Sequence, residues 1–345
     1  MNPNDNYRIV HDPREIDELA WSRFVMENDD GNVFQTPEMY RVYLNTERYV
    51  PVFTAIVDEN DDLIALMLGV RIEEPGRLAG RFSSRIIVYG GPLISNRNDE
   101  AFLVEKILKA HNKEAGKSAV FTELRNLTQR TSLNHLAESA GYEYVDHLNI
   151  HIDLTVGMDK LWERLHKNRQ RGIRKALKSE LSSVVVTIDS LDNLYSLVKQ
   201  TYERIRVPMP PKSLFESVIA VLQEKNLARL VGVRLQGALV GIGVFLTFKE
   251  VIYLWYNAAD MQHSDLGIGE YTFWSAIEWA VANGFRLFDF GGAGRHGQEY
   301  GVREFKKSMG GHQVELGRLV CTHNRLKALV APVGYRVWRA VKRVS

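Results

Sequence analysis

Two stretches of the chain share one arrangement of apolar and polar positions. Residues 51–72 and residues 228–248 each contain two apolar runs, rich in β-branched side chains, on either side of a short polar turn. Two such runs joined by a tight turn are typical of a β-hairpin, in which successive side chains face opposite sides of the sheet. The pattern therefore predicts one hairpin in each half of the chain.

The segments that follow the two hairpins match as well. Each hairpin leads into an apolar strand, then a helix with apolar residues three and four positions apart, then a glycine suited to end the helix, then a second strand. The helices are predicted near 99–115 and 268–283, and the closing strands near 118–124 and 285–290. We interpret this as a duplicated hairpin–strand–helix–strand unit; chance similarity between two α/β stretches is the alternative.

The repeat divides the chain into two predicted domains. An alternating strand over 141–154 is expected to close the first unit, and a basic helix over 161–180 follows it. Strands and helices alternate throughout, which indicates a layered α/β (α+β) architecture. We therefore predict an N-terminal domain of residues 1–155 and a C-terminal domain of residues 156–345, the latter ending in a helix.

Composition excludes several classes of function. Of 345 residues, 45% are hydrophobic and 25% are charged, as in soluble proteins with well-buried cores. A net charge of +2 provides no overall attraction for nucleic acid or anionic lipid, so any such binding needs a local patch. Cys321 is the single cysteine, which rules out an intramolecular disulfide, and no Cys/His spacing predicts a metal site. The N-terminus lacks an apolar signal segment and no apolar run is long enough to span a bilayer, so a cytoplasmic protein is expected.

The predicted helix over 161–180 carries the strongest local charge. Seven lysines and arginines lie between residues 164 and 178 without an intervening acid. Like charges at this density repel one another, and a solvated surface helix usually intersperses acids, so the pattern favours an anionic partner over a merely solvated face. The candidates for holding the phosphates of a ligand are Lys167, Arg169, Arg171 and Arg174.

Glycines mark two further candidate sites. Gly267 and Gly269 stand where a strand leads into a helix, so backbone amides there could approach a phosphate at the helix start; a simple tight turn is the alternative. Farther along, residues 291–311 place Arg303 and Lys306 between glycine pairs, directly after a strand. Arg303 is a further candidate for binding the phosphates of a ligand. Lys306 could neutralise a phosphate or stabilise an oxyanion, and the alternative is an ordinary surface lysine.

Carboxylates and aromatic residues complete the candidate site. Asp289 lies in the middle of the strand before the glycine-rich segment, where it either caps loop amides or takes part in catalysis. Glu123 lies at the end of a predicted strand in the first half. Either carboxylate, or water, could accept a proton from a reacting group. Tyr256, Tyr300 and Phe305 are candidates for binding the substrate.

Three of these features occur in the order found in a known family. The basic helix reads LWERLHKNRQRGIRKALK, a G-x-G pair starts a later helix, and the segment GVREFKKSMGG follows. Together they resemble the FemAB-type branch of the GNAT superfamily, the peptidoglycan interpeptide-bridge aminoacyltransferases and their acetyltransferase-like relatives. The resemblance covers most of residues 30–320 and is strongest over 160–311.

The resemblance implies a fold and a reaction. It implies two tandem GNAT-like domains, each a mixed twisted sheet flanked by helices, which agrees with the duplication inferred from the pattern. It also implies transfer of an acyl group to an amine without a covalent enzyme intermediate. The lysine of the family's Phe-Lys motif falls on Lys306, which would lie in the donor channel and stabilise charge on the transferring carbonyl.

We therefore predict an acyltransferase without a permanently bound cofactor. Its co-substrate would be an acyl-CoA or an aminoacyl-tRNA, and its acceptor an amine, for which a lipid- or nucleotide-linked precursor of the cell envelope is the candidate, with peripheral membrane contact left open. The bridge-forming relatives often carry a long helical arm associated with tRNA binding, whereas residues 191–226 predict two helices of ordinary length, which favours acyl-CoA. Two alternatives remain: a noncatalytic RNA-binding protein using the helix over 161–178, and a peripheral envelope-assembly factor using the basic tail around Trp338.

Overall fold

The computed structural model describes residues 7–73, 84–95, 99–205 and 207–324. They form two compact units, one containing the described residues up to Asp146 and from Leu316 onward, the other containing His147–Glu315. The strands, in chain order, are β1 (Arg8–Val10), β2 (Tyr49–Val57), β3 (Leu63–Ile72), β4 (Arg85–Tyr89), β5 (Leu93–Ile94), β6 (Phe121–Arg125), β7 (Glu143–Val145), β8 (Leu148–Asp153), β9 (Leu181–Val185), β10 (Ala228–Leu235), β11 (Ala238–Phe248), β12 (Val251–Ala259), β13 (Leu287–Gly292), β14 (His312–Glu315) and β15 (Arg318–Thr322).

The α-helices of the described residues are α1 (Glu18–Glu27), α2 (Pro37–Leu44), α3 (Glu100–Ala115), α4 (Thr131–Glu138), α5 (Met158–Arg164), α6 (Lys167–Lys178), α7 (Leu191–Ile205), α8 (Lys212–Ser217), α9 (Ile268–Ala282) and α10 (Gly301–Ser308). A π-helical segment, Val218–Gln223, continues α8. Within the described ranges, no helix combines the length and the apolar character needed to cross a bilayer.

The first unit is built on a mixed sheet. Its strand order is β1–β2–β3–β4–β6–β15–β7, and β5 also pairs with β3. β2 and β3 form the first predicted hairpin, and β4 runs parallel to β6. Helix α3 packs against this sheet because Leu103, Ile107 and Leu108 recur at helical spacing, and all three are fully buried.

The second unit has the same kind of mixed sheet. Its strand order is β14–β8–β13–β12–β11–β10–β9; β10 and β11 form the second predicted hairpin, and β12 runs parallel to β13. Helix α9 covers one face, where Phe273, Ile277 and Ala280 join the buried cluster around Phe288 and Phe290. The predicted architecture of two mixed sheets flanked by helices is confirmed.

The chain crosses between the two sheets at a place that its pattern did not indicate. The predicted strand over 141–154 divides into β7, which pairs with β15 in the first sheet, and β8, which pairs with β13 and β14 in the second. After β14 the chain returns to the first sheet as β15. The units therefore differ from the predicted domains 1–155 and 156–345, because strand pairing joins edges that are far apart in sequence. The predicted terminal helix, in residues 325–345, lies outside the described residues.

The predicted basic helix is in fact two helices. Between α5 and α6, Leu165 adopts an extended backbone conformation, and the ring of His166 accepts a hydrogen bond from an amide in the first turn of α6. The interruption changes which residues of the segment face the core: Ala176 is fully buried, whereas Leu177 is 59% exposed. One continuous helix over 161–180 would place Leu177, four residues after the buried Ile173, on its apolar face; the structure contradicts this spacing because the helix breaks at Leu165.

Candidate functional site

The parallel strands β12 and β13 of the second unit stay paired for only three residue pairs. The last pair is Tyr253 with Asp289; beyond it β13 bulges and follows β8, while β12 continues to Ala259 with β11 as its strand partner. In the first unit the parallel strands β4 and β6 stay paired for five residue pairs. The described residues contain two pairs of parallel strands, and the strands of the second unit separate after fewer residue pairs than those of the first unit.

Asp289 stands at the start of this opening. Its side chain is buried, with 2% of the residue exposed. The Oδ1 atom accepts hydrogen bonds from the backbone amide of Gly291 (2.7 Å) and from Nδ2 of Asn149 (3.4 Å). Oδ2 accepts no hydrogen bond within the described part of the chain. Asp289 thus caps a loop amide with one oxygen and keeps the other available for a ligand or a proton.

Lys306, on α10, is a buried cation next to the same loop. The residue is 8% exposed, and its Nζ donates a hydrogen bond to the carbonyl of Gly292 at 2.8 Å and lies 5.7 Å from the ring centre of Phe290. Burial lowers the pKa of Lys306 to about 8, against the opposing effect of the Asp289 carboxylate. Because an ammonium group has three donors, two of them can serve a bound ligand once one is given to Gly292.

Arg303 shapes the glycine-rich loop. Its guanidinium, in a residue only 9% exposed, donates to the carbonyls of Ala293 (2.8 Å), Gln298 (3.0 Å) and Arg295. These bonds engage the side chain that was predicted to bind the donor, so in this structure Arg303 organises the loop. An open pocket of about 520 Å³ lies beside it, and Tyr300, 42% exposed, lines this pocket.

Arg169 brings the two predicted basic segments together. Its guanidinium forms an ion pair with Glu270 on α9 and donates through Nε to Oγ of Ser308 at 2.8 Å. The same group lies 4.6 Å from the ring centre of Phe305 on α10. Of the predicted phosphate ligands, Arg169 is therefore the one that connects α6 with α9 and α10.

Lys175 of α6 pairs with Asp265, and the four remaining cations of the helix form an exposed row, which we call the basic stripe: Lys167, Arg171, Arg174 and Lys178. The spacing of i, i+4, i+7 and i+11 places these side chains on one face of the helix. No ion pair joins any of them to an acid of the described residues. Arg174 is oriented by the ring of Trp162, whose centre lies 5.1 Å from the guanidinium carbon. The stripe thus presents unneutralised positive charge to solvent.

Gly267 and Gly269 differ in what surrounds them. Gly267 has a left-handed backbone (φ 72°), and a Cβ there would lie 2.5 Å from the carbonyl oxygen of Gly172 on α6. The position therefore needs glycine because α6 crosses closely over the start of α9. A Cβ at Gly269 would meet no heavy atom within 4 Å. The amide of Gly269 thus belongs to the more open part of the helix start.

The surroundings of Tyr256 and Glu123 differ from those of Asp289 and Lys306. Tyr256, on β12 beyond the opening, packs edge-on against Phe215 with ring centres 5.4 Å apart. Glu123 belongs to β6 of the first unit, where it accepts from Arg125 (2.6 Å) and Arg318 (2.7 Å). Burial raises the pKa of Glu123, but the two arginines outweigh it and the net pKa is lowered. A carboxylate held in this way stabilises the sheet and is a poor proton acceptor.

Two residues near Asp289 escaped the sequence analysis. Asn149 and His151 on β8 face Asp289, because β8 pairs with β13 in the second sheet. The segment LNIHID alternates apolar and polar residues, so the polar face could have been found. Its partner strand could not, because β8 was assigned to the first unit.

A family model and several solved structures resemble this chain. A family model described as an acetyltransferase (GNAT) domain matches residues 163–307, which lie inside the second unit. The crystal structure of FemX has a TM-score of 0.70 and 14% identity, and the match covers 94% of this chain and 100% of that chain. A tandem GNAT protein from the clavulanic acid biosynthesis pathway has a TM-score of 0.60 and 10% identity, covering 92% and 99%.

A third solved structure has a similar fold. The C-terminal domain of a putative lysylphosphatidylglycerol synthetase from Agrobacterium fabrum has a TM-score of 0.59 and 15% identity, covering 93% of this chain and 96% of that chain. No curated protein matches the sequence. These likenesses confirm, at the level of the fold, both the prediction of two GNAT-like domains and the resemblance to FemAB-type proteins.

Proposed function

We propose that this chain, whose fold is similar to that of FemX, is a GNAT-type acyltransferase whose second unit transfers an acyl group from acyl-CoA to an amine. Lys306 stabilises the charge on the transferring carbonyl, and Asp289 accepts the proton of the amine. The basic stripe and the start of α9 at Gly269 bind the phosphates of the donor. The acceptor is the amine of a cell-envelope precursor, which the FemAB-type resemblance suggests.

The burial of Lys306 is the observation that carries this proposal. A lysine that is 8% exposed, with one carbonyl as its hydrogen-bond partner and no ion pair among the described residues, retains a charge that is poorly solvated. An oxyanion that forms beside it gains more from this charge than it would in water. Lys306 follows a parallel strand pair that opens directly beyond Asp289, which gives the donor carbonyl a place to enter.

The geometry supports direct transfer. A neutral amine attacks the thioester carbonyl, the carbonyl oxygen becomes an oxyanion that accepts hydrogen bonds from Nζ of Lys306, and the C–S bond then breaks. The nitrogen loses its proton to Oδ2 of Asp289, the oxygen without a hydrogen-bond partner among the described residues. The chain's single cysteine, Cys321, is buried, and burial raises the pKa of its thiol, so a cysteine acyl-enzyme is not part of this route.

Aminoacyl-tRNA is the alternative donor, and the basic stripe is the observation that favours it. Four cations along one helix face suit a phosphodiester backbone as well as the phosphates of coenzyme A. The two ordinary helices α7 and α8 stand where bridge-forming relatives often carry a long arm, which supports acyl-CoA. Either donor would place the reaction in the cytoplasm, where both are made.

The test supplies both donors to the purified full-length protein. Radiolabelled acetyl-CoA, or tRNA charged with radiolabelled amino acids, is incubated with a mixture of primary amines and with a nucleotide-linked peptidoglycan precursor. We expect label on an amine acceptor from acetyl-CoA, and a loss of about 10²–10³-fold in rate for Lys306→Met. Lys307→Met is the matched control, because Lys307 is the exposed neighbour on the same helix. Equal rates for the two variants would remove Lys306 from the mechanism, and transfer from tRNA alone would replace acyl-CoA as the donor.

A further inference from the structure

A row of polar residues crosses four neighbouring strands of the second sheet. His312 on β14 pairs with His151 on β8, His151 pairs with Asp289 on β13, and Asp289 pairs with Tyr253 on β12. Directly paired residues of neighbouring strands project from the same face of a sheet. The four side chains therefore form one line, on the face opposite the apolar one that carries Ile152 and Phe288.

The row leads from the interior to the edge of the sheet. Asp289 is 2% exposed and His151 is 9% exposed, whereas His312 is exposed on β14, the edge strand. Nε2 of His151 lies 3.7 Å from Oδ1 of Asp289, and the rings of His151 and His312 stand edge-on with centres 6.3 Å apart. One end of the line thus lies beside the carboxylate at the strand opening, and the other end reaches solvent.

His151 has a property that a purely structural residue would not need. Its Nε2 is buried and has no hydrogen-bond partner among the residues that the structure describes. A buried polar atom without a partner costs free energy, roughly 1–3 kcal/mol, and a phenylalanine or leucine would fill the same position without that cost. The nitrogen points towards a carboxylate at a distance that one bridging water or a small ring rotation converts into a hydrogen bond.

We propose that His151 and His312 carry to solvent the proton that Asp289 accepts from the attacking amine. This inference rests on the proposed acyl transfer. The C–N bond forms, the C–S bond breaks, and the thiolate of coenzyme A leaves with the bonding electrons and takes a proton from water. The amine proton moves to Oδ2 of Asp289, then through one bridging water to Nε2 of His151, and the other ring nitrogen releases a proton through His312 to solvent.

Histidine suits this task because its ordinary pKa lies close to neutral pH, so the ring can accept and release a proton in each turnover. The charged and titratable groups that face His151 are Asp289 from β13 and His312 from β14. Burial, followed by the charges of His151 and Arg164, lowers the pKa of His312 against the effect of Asp153. A proton that reaches His312 is therefore released readily. Neither histidine touches the substrate in this scheme, so both are positioning residues.

The test combines a truncation with chemical rescue. His151→Ala leaves a space of imidazole size, so we expect the rate of acyl transfer from acetyl-CoA to fall by about 10²-fold and to recover when imidazole is added. Recovery should follow the fraction of neutral imidazole as pH changes. His312→Gln should lower the rate less, because Asp289 and His151 remain. His263→Ala, outside the row, is the matched control and should behave as the unaltered protein.

A second measurement does not depend on turnover. The ring nitrogens of His151 are followed by NMR between pH 5 and 9 in the unaltered protein and in Asp289→Asn. We expect the signals of the His151 ring nitrogens to change with pH and to respond differently in the two proteins, because the Asp289 carboxylate lies 3.7 Å from Nε2. A His151 that stays neutral throughout, or a His151→Ala variant as active as the unaltered protein, overturns the relay. An unaltered protein that transfers no acyl group from either donor instead overturns the proposed function.

Discussion

The guanidinium of Arg169 lies 4.6 Å from the ring centre of Phe305, and this contact joins α6 to α10. Two segments that are far apart in sequence, each with its own cluster of cations, thereby meet in one place of the second unit. Ser308 and Glu270 hold the same side chain from two further directions. Since Phe305 precedes Lys306 in the chain, the position of the buried lysine depends on this contact.

Replacing Arg169 should therefore weaken both stability and turnover. We expect Arg169→Ala to lower the free energy of unfolding by roughly 1–3 kcal/mol, because the change leaves Glu270 without its ion-pair partner and Phe305 without its cation. Arg169→Lys should recover part of this, since a lysine keeps the charge but cannot maintain all three contacts. Arg171→Ala is the control on the exposed face of the same helix. Urea titration of the three variants measures the effect, and equal stability of Arg169→Ala and Arg171→Ala would contradict it.

The lowered pKa of Lys306 predicts the alkaline limb of the rate profile. With a pKa of about 8 instead of its ordinary value, the ammonium loses its proton as pH rises through 8. If the charged form stabilises the oxyanion, kcat falls above that pH. Lys306→Arg, whose guanidinium stays protonated, should lose the limb while retaining part of the activity. The measurement is kcat against pH for both proteins, and a limb that survives in Lys306→Arg assigns it to another group.

Gly267 and Gly269 should respond oppositely to alanine. Gly267→Ala introduces a Cβ about 2.5 Å from a backbone oxygen of α6 and forces alanine into a left-handed conformation, so we expect a loss of at least ~1–2 kcal/mol in unfolding free energy. Gly269→Ala has open space and helical geometry, so a gain of about 0.5–1 kcal/mol is expected. Thermal unfolding of the two variants decides. If Gly269→Ala also weakens donor binding while raising stability, the amide of Gly269 contributes to the donor site.

Charge reversal on the basic stripe should raise the KM for acyl-CoA. Each lost contact between a cation and a phosphate weakens binding by about 1.5–3 kcal/mol, so Arg171→Glu with Arg174→Glu should raise KM by at least ~10-fold. The dependence of KM on salt concentration should also become weaker, because fewer screened contacts remain. Lys199→Glu makes one such charge reversal on the exposed face of α7 and serves as a control. Unchanged KM in the stripe variant would remove the stripe from donor binding.

A buried histidine of the first unit predicts loss of stability in acid. Burial, aided by His323 and His11, lowers the pKa of His111 to about 3, below its ordinary value of 6.5. The unfolded chain therefore binds this proton more tightly than the folded chain. Stability is lost as pH falls from about 6.5 towards 3, by up to ~1.4 kcal/mol per pH unit for this group. His111→Met should flatten the fall between pH 6 and 4, whereas His135→Gln, at an exposed position, should leave it unchanged.

Local elements could be read from the sequence with little error. The two hairpins and the helix that begins at Ile268 lie close to their predicted positions. Their patterns reflect contacts between residues a few positions apart, and these contacts are fixed by backbone geometry. The basic segment was predicted less well, because Leu165 breaks the helix and moves Leu177 to the surface.

The composition of the site depended on pairings over long distances. Lys306 and Asp289 were singled out from the sequence, and the tertiary structure brings both to the loop that follows β13. Glu123 was grouped with them only because it is a carboxylate. Its strand lies in the first sheet, and its carboxylate accepts hydrogen bonds from two arginines. His151 was missed because its strand, β8, was predicted to close the first unit, whereas β8 pairs with β13 in the second sheet.

By itself the sequence determined the repeated α/β units, the clusters of positive charge and the candidate lysine, since each of these is a property of neighbouring residues. Only the tertiary structure decided which of the charges are neutralised, which carboxylate stands near Lys306 and which histidines continue the row from Asp289 to the sheet edge. These depend on strand order and on the burial of each group. Strand order and burial depend on pairing between segments more than a hundred residues apart, such as β8 with β13 and β14. A pattern among neighbouring residues does not predict such pairing.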